Sequence, residues 1–138
     1  SNLVQAAREI MAMGPSAVVA KRGDHGVLMF HGDSIFSAPA FPLERVVDPT
    51  GAGDSFAGGF MGYLAATGDL TTEGFKHAVM AGSVMGSFAV ESFSLERTAS
   101  LTNDEIEGRF RALTDLTRFV PLGSNESLPF RPGGAAQT

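Results

Sequence analysis

The segment Val47-Asp48-Pro49-Thr50-Gly51-Ala52-Gly53-Asp54-Ser55-Phe56 holds the residue types most able to do chemistry. The spacing predicts a strand leading into a loop, with a helix that starts within or just after Gly51-Ala52-Gly53. The first amides of a helix have no intrahelical acceptor, and the helix dipole adds partial positive charge at that end. Two glycines let a ligand reach the backbone. Together these features make a pocket for an anion, most often a phosphate. A carboxylate inside such a pocket repels phosphate, unless its task is to take the proton from a hydroxyl that attacks the phosphorus. Phosphoryl transfer needs positioning, charge stabilisation and a group of that kind. On this reading Asp54 is the base and the 51–53 amides stabilise charge. The plain alternative is a helix-start carboxylate favoured only by the dipole, and a lone Gly-x-Gly-Asp is more often that. No Gly-Lys-Ser/Thr follows, so the loop is not a Walker loop, and the third glycine of a dinucleotide fingerprint is absent.

The elements that must position this loop are legible on both sides of it. Leu3, Ala6, Ala7, Ile10 and Met11 recur at helical steps, and Gly14-Pro15 closes that helix. Ala17 to Ala20 reads as a short buried strand. Lys21-Arg22-Gly23-Asp24-His25-Gly26 is a polar turn, after which Val27 to Phe30 and Ser34 to Ala38 form a hairpin about His31-Gly32-Asp33. Pro39 and Pro42 impose an extended crossing segment, and Val46-Val47 enters the glycine loop. Phe56, Phe60, Tyr63 and Leu64 follow at helical spacing up to Gly68. Thr71 or Thr72 caps a further helix to about Val90, with Phe75, Val79 and Val84 among its apolar positions. Gly82, Ser83 and Gly86 form a small-residue stripe on it, suited either to a flat ligand or to close helix packing. Thr102 with Glu105 forms a capping box for a helix to about Leu116. From Gly123 the chain turns to Ser, Asn, Pro and Gly, so 1–122 is read as the folded part and 123–138 as a weakly ordered tail. Phe88, Phe93 and Phe119 are expected in the core, and His77 on a helix surface.

Composition narrows the function. A chain of 138 residues suits roughly one domain. An apolar fraction of 43% supports a folded core, and a net charge of −5 argues against a nucleic-acid partner. With no cysteine, disulfide and thiol chemistry are out. His25, His31 and His77 do not stand at metal-ligand spacing. No stretch nears the ~20 apolar residues of a membrane span, and Gln5, Arg8 and Glu9 interrupt the first apolar pattern as no signal peptide would. A soluble cytoplasmic protein with no membrane partner is expected.

Asp-Pro-Thr-Gly-Ala-Gly-Asp-Ser-Phe at 48–56 closely resembles the second signature of the ribokinase-like (PfkB) carbohydrate and nucleoside kinases, Asp-Thr-x-Gly-Ala-Gly-Asp-x-Phe. Pro49 stands where the family usually has Thr. The upstream Lys21-Arg22-Gly23-Asp24-His25-Gly26 is similar to the family's Lys-x-Gly-x-x-Gly turn, so the resemblance covers most of 1–120. It implies ATP-dependent phosphorylation of a hydroxymethyl group on a sugar or nucleoside, with Asp54 as the base and Gly51, Ala52 and Gly53 as the anion hole. The fold implied is α/β: the C-terminal part of a three-layer sandwich, its sheet mainly parallel with the 27–38 hairpin at one edge.

Lys21, Gly23 and Gly26 match a turn near the nucleotide in that family, where Lys21 either reaches phosphate or remains a solvated charge. Magnesium accompanies the ATP. Asp48 and Thr50 match positions that lend oxygens to a monovalent cation, a hard-ligand set suited to potassium; otherwise Asp48 simply caps the turn. The small-residue stretch around Ala78 to Gly82 matches the region of the adenine slot, and otherwise serves helix–helix packing. The family's first signature, its sugar-binding carboxylate, its β-sheet lid and an Asn-x-x-Glu motif have no counterpart here. The expectation is therefore a C-terminal fragment that is inactive alone and self-associates as a homo-oligomer. The alternative is a nucleotide-binding module without turnover.

Overall fold

The computed structural model describes residues 2–43, 50–91 and 100–130. Helix α1 spans Leu3–Ala12, capped by Asn2, whose side chain accepts from the Val4 and Gln5 amides. Strand β1 follows at Ala17–Lys21, then a 3₁₀ turn at Gly23–His25, β2 at Val27–His31 and β3 at Ser34–Ala38. Among the described residues the helices that come after are α2 at Ala52–Thr67, α3 at Thr72–Val90 and α4 at Asn103–Thr117.

The sheet runs in the order β1-β2-β3, with Ala17 opposite His31 and His31 opposite Ser34. Both pairings are antiparallel. The α/β class is as expected, but the parallel pairing is not shown among the described residues. The connections explain this: the Gly23–His25 turn and the Gly32-Asp33 turn are far shorter than the dozen or more residues a parallel crossover needs. Gly32 takes φ 57° at the first position of its two-residue turn, where a positive φ matches the twist of the hairpin.

The core lies between the sheet and α3. Met29, Ala38, Ala78, Val79, Val84 and Leu113 are fully enclosed, and Phe56, Phe75 and Phe88 pack with them. Helix α3 begins where Thr71 Oγ1 accepts from Gly74 N at 3.2 Å. Asp69 Oδ1 in turn accepts from Thr71 Oγ1 at 2.5 Å and Thr71 N at 3.0 Å, and these bonds hold the Asp69 carboxyl below the usual carboxylate range. At α4 the Thr102–Glu105 capping box forms as the sequence predicts.

Helices α2 and α3 approach closely because glycines meet at their crossing. A Cβ on Gly82 would stand 2.8 Å from Phe56 O, and one on Gly59 would stand 2.8 Å from Ala81 O. Part of the small-residue stripe is thus helix packing.

One core expectation needs correction. Phe119 is 78% exposed rather than buried, because it follows the end of α4 on a segment with no helix to fold it back. The first apolar run forms α1 as expected; it buries only Ala7 fully, leaves Leu3 and Ile10 exposed, and packs on β1. Phe88 is buried and His77 lies exposed on α3, as expected. Phe93 lies outside the described residues.

Candidate active site

Gly51 is the N-cap of α2, at φ 86° in the left-handed region that glycine alone enters without cost. The turn closes when Ser55 N donates to Gly51 O at 2.9 Å. The helix therefore starts inside Gly51-Ala52-Gly53, as the spacing predicts, and its N-terminal amides face outward at an end that favours anions. Asp54 is exposed on the first turn of α2, as are Gly51, Gly53 and Thr50. Asp48 lies outside the described residues, so the Asp48–Thr50 oxygen pair is not seen together.

The polar turn that follows β1 comes to the same place. Gly26 takes φ 87°, and a Cβ there would run into the carbonyl of Ala38 and the backbone of Pro39. Only glycine allows this crossing, which sets the turn against the segment leaving β3. Lys21, at the end of β1, reaches across to α2. Its Nζ lies where a Cβ on Gly53 would come within 2.9 Å, and 5.4 Å from the centre of the Phe56 ring. A cation, two glycines and a helix start thus converge from sequence positions some thirty residues apart.

These parts border a cleft of about 750 Å³. Lys21, Gly23 and Gly26 line it from the first turn, and Ala52 and Gly53 from the start of α2. Ser83, Gly86 and Ser87 line it from α3, and Phe41 from the proline-flanked segment. The stripe on α3 is therefore shared: Gly82 meets Phe56, Gly86 packs beside Ala52 O while also bordering the cleft, and Ser83 lines the cleft. Ser83 Oγ is buried and has no hydrogen-bond partner among the described residues. The volume suits a small-molecule ligand. Sequence reasoning missed Phe41 and Ser87. Pro39 and Pro42 marked an extended segment, but nothing in the sequence placed its aromatic residue against α3.

Comparison with known proteins identifies the family and the fold. A sequence model of the pfkB family carbohydrate kinases matches residues 1–101. The chain is 36% identical over 100 residues to a nucleoside kinase of Methanothermobacter thermautotrophicus, covering 72% of this chain and 30% of that one. It is 51% identical over 58 residues to a cytidine kinase of Thermococcus kodakarensis, covering 41% and 20%. Among solved structures, aminoimidazole riboside kinase from Salmonella enterica, complexed with aminoimidazole riboside and an ATP analogue, superposes with a TM-score of 0.66 at 27% identity, covering 81% of this chain and 37% of that one. The protein belongs to the pfkB family of carbohydrate kinases, on the ribokinase fold. It spans about a third or less of the length of these relatives. Among the described residues, no helix is long and apolar enough to cross a membrane.

Proposed function

We propose that this chain carries the nucleotide side and the catalytic base of an ATP-dependent kinase that phosphorylates a hydroxymethyl group on a sugar or nucleoside. The observation that carries the reading is the meeting of Lys21, Gly53 and the α2 N-terminus at one edge of the cleft. The terminal phosphates lie against the 51–53 amides and Lys21, and the base of the nucleotide lies along Ser83, Gly86 and Ser87. Asp54, one residue past the anion-binding glycines, accepts the proton of the acceptor hydroxyl as it attacks the terminal phosphorus.

Magnesium usually binds such sites through substrate phosphates and one or two carboxylates. The described residues contain no group of three or more His, Cys, Asp or Glu able to cage a metal. The donor set therefore fits a magnesium ion that arrives on the nucleotide. Thr50 and Asp48 remain the residues proposed to lend oxygens to a potassium ion.

The acceptor-binding groups are proposed to lie in the part of the fold that this chain does not span, so the 138 residues alone transfer little phosphate. The test is a coupled assay with ATP and a panel of sugars and nucleosides, run on the chain and on a protein that supplies the rest of the fold. Transfer by the longer protein to one acceptor class, abolished by changing Asp54, supports the reading. Turnover by the chain alone at ~1–100 s⁻¹, the ordinary kinase range, contradicts the division of labour. The short span favours a second reading, a nucleotide-binding module without turnover. Binding without transfer in either protein would select it.

Self-association belongs to the same proposal. Among the described residues β1 pairs on one side only, and Val120, Phe119, Leu128 and Phe130 are largely exposed. An open strand edge and uncovered apolar surface both invite pairing. Light scattering should find a dimer or larger species, and a stable monomer at high concentration contradicts it.

A further inference from the structure

Arg109 stands on α4, beyond the residues that the family model matches. Its side chain is only 16% exposed. Its guanidinium is held from two sides. Nη1 donates to Ser87 Oγ at 3.0 Å and lies 2.6 Å from Glu91 Oε1. The guanidinium carbon sits 3.8 Å from the centre of the Phe88 ring and 4.9 Å from that of Phe41. Ser87 Oγ donates onward to Val84 O at 2.6 Å.

Ser87 and Phe41 both line the cleft, whereas Arg109 does not. They come from separate elements, one from α3 and one from the segment after β3. That segment has no ladder of its own to fix it. A planar guanidinium stacked on aromatic faces is a stiff spacer, which a flexible ammonium cannot replace. A slot for a flat ring works only when its walls keep their spacing to within about 0.5 Å.

We propose that Arg109 is a positioning residue for the base-binding end of the cleft. It fixes Phe41 relative to Ser87 and so sets affinity for the heterocyclic base of the nucleotide, without touching it. This rests on the nucleotide reading of the cleft.

The test is calorimetric titration of the 138-residue chain with ADP and, separately, with tripolyphosphate, which probes the phosphate end alone. Arg109→Met should raise the Kd for ADP about tenfold, equivalent to ~1.4 kcal/mol, and leave that for tripolyphosphate within about twofold. Arg109→Lys keeps the charge near Glu91 but loses the planar stack, and should follow Arg109→Met. Phe41→Leu should weaken ADP binding alone, but add little in the Arg109→Met background, because residues that act through one another are not additive. If Arg109→Met fails to fold, Arg109→Lys carries the same comparison. Equal losses for ADP and tripolyphosphate, or unchanged ADP affinity in a natively folded variant, overturn the inference and leave the nucleotide reading standing. A wild type that binds neither ligand overturns both.

Discussion

The two ends of the cleft are built on opposite principles. The proposed phosphate end is backbone: a glycine N-cap, a helix start and exposed residues, with one long cation laid over it. The proposed base end is side chains held by packing: a buried serine, a half-buried phenylalanine and an arginine in contact with two rings. Phosphate is the same in every nucleotide, so amides and a dipole suffice to hold it. A base must be told apart by shape, and shape needs fixed walls. On the proposed reading the difference teaches where this chain tolerates change: side chains at the phosphate end should act on rate or anion affinity, whereas those on α3 should act on stability as well.

The largest expected effect breaks the comparison at its exposed end. Asp54→Asn keeps size and removes the proposed proton acceptor. In a protein that turns over, kcat should fall by roughly 10²–10⁴, the range for a lost general base, while ADP affinity holds or rises slightly as repulsion with phosphate is relieved. Steady-state kinetics with parallel ADP titrations check this, and near-normal kcat removes Asp54 from the mechanism. A smaller effect tests the packed side. Gly82→Ala places a methyl group 2.8 Å from Phe56 O and against the Phe56 ring. Overpacking of this kind costs about 1–3 kcal/mol, read as a lower urea midpoint with an unchanged slope. An unaltered midpoint would mean that α2 and α3 part more easily than their glycine contacts imply.

Much of this was legible beforehand, for physical reasons. The hairpin, the Gly68 stop of α2, the Thr71 cap and the Thr102–Glu105 box are local signals, settled within a few residues of chain. The helix start inside Gly51-Ala52-Gly53 followed from the same local logic. Non-local facts were not legible. Lys21 meeting Gly53, Phe41 meeting Arg109, and the sharing of the α3 stripe between packing and cleft depend on how distant elements dock. The exposure of Phe119 shows the same limit: an aromatic residue is buried only if some element lies opposite it. Asp48, central to the proposed cation site, falls outside the described residues.

The claim on which the rest depends is that the α2 N-terminus holds the phosphates of a nucleotide. Calorimetry of ADP against wild type and Gly53→Val tests it most directly. The position is favourable, because the new side chain displaces only the mobile end of Lys21 and the fold should survive. The account predicts that wild type binds ADP and that Gly53→Val weakens binding at least tenfold, ~1.4 kcal/mol or more, with the thermal midpoint nearly unchanged. Equal ADP affinity in the two proteins would contradict it.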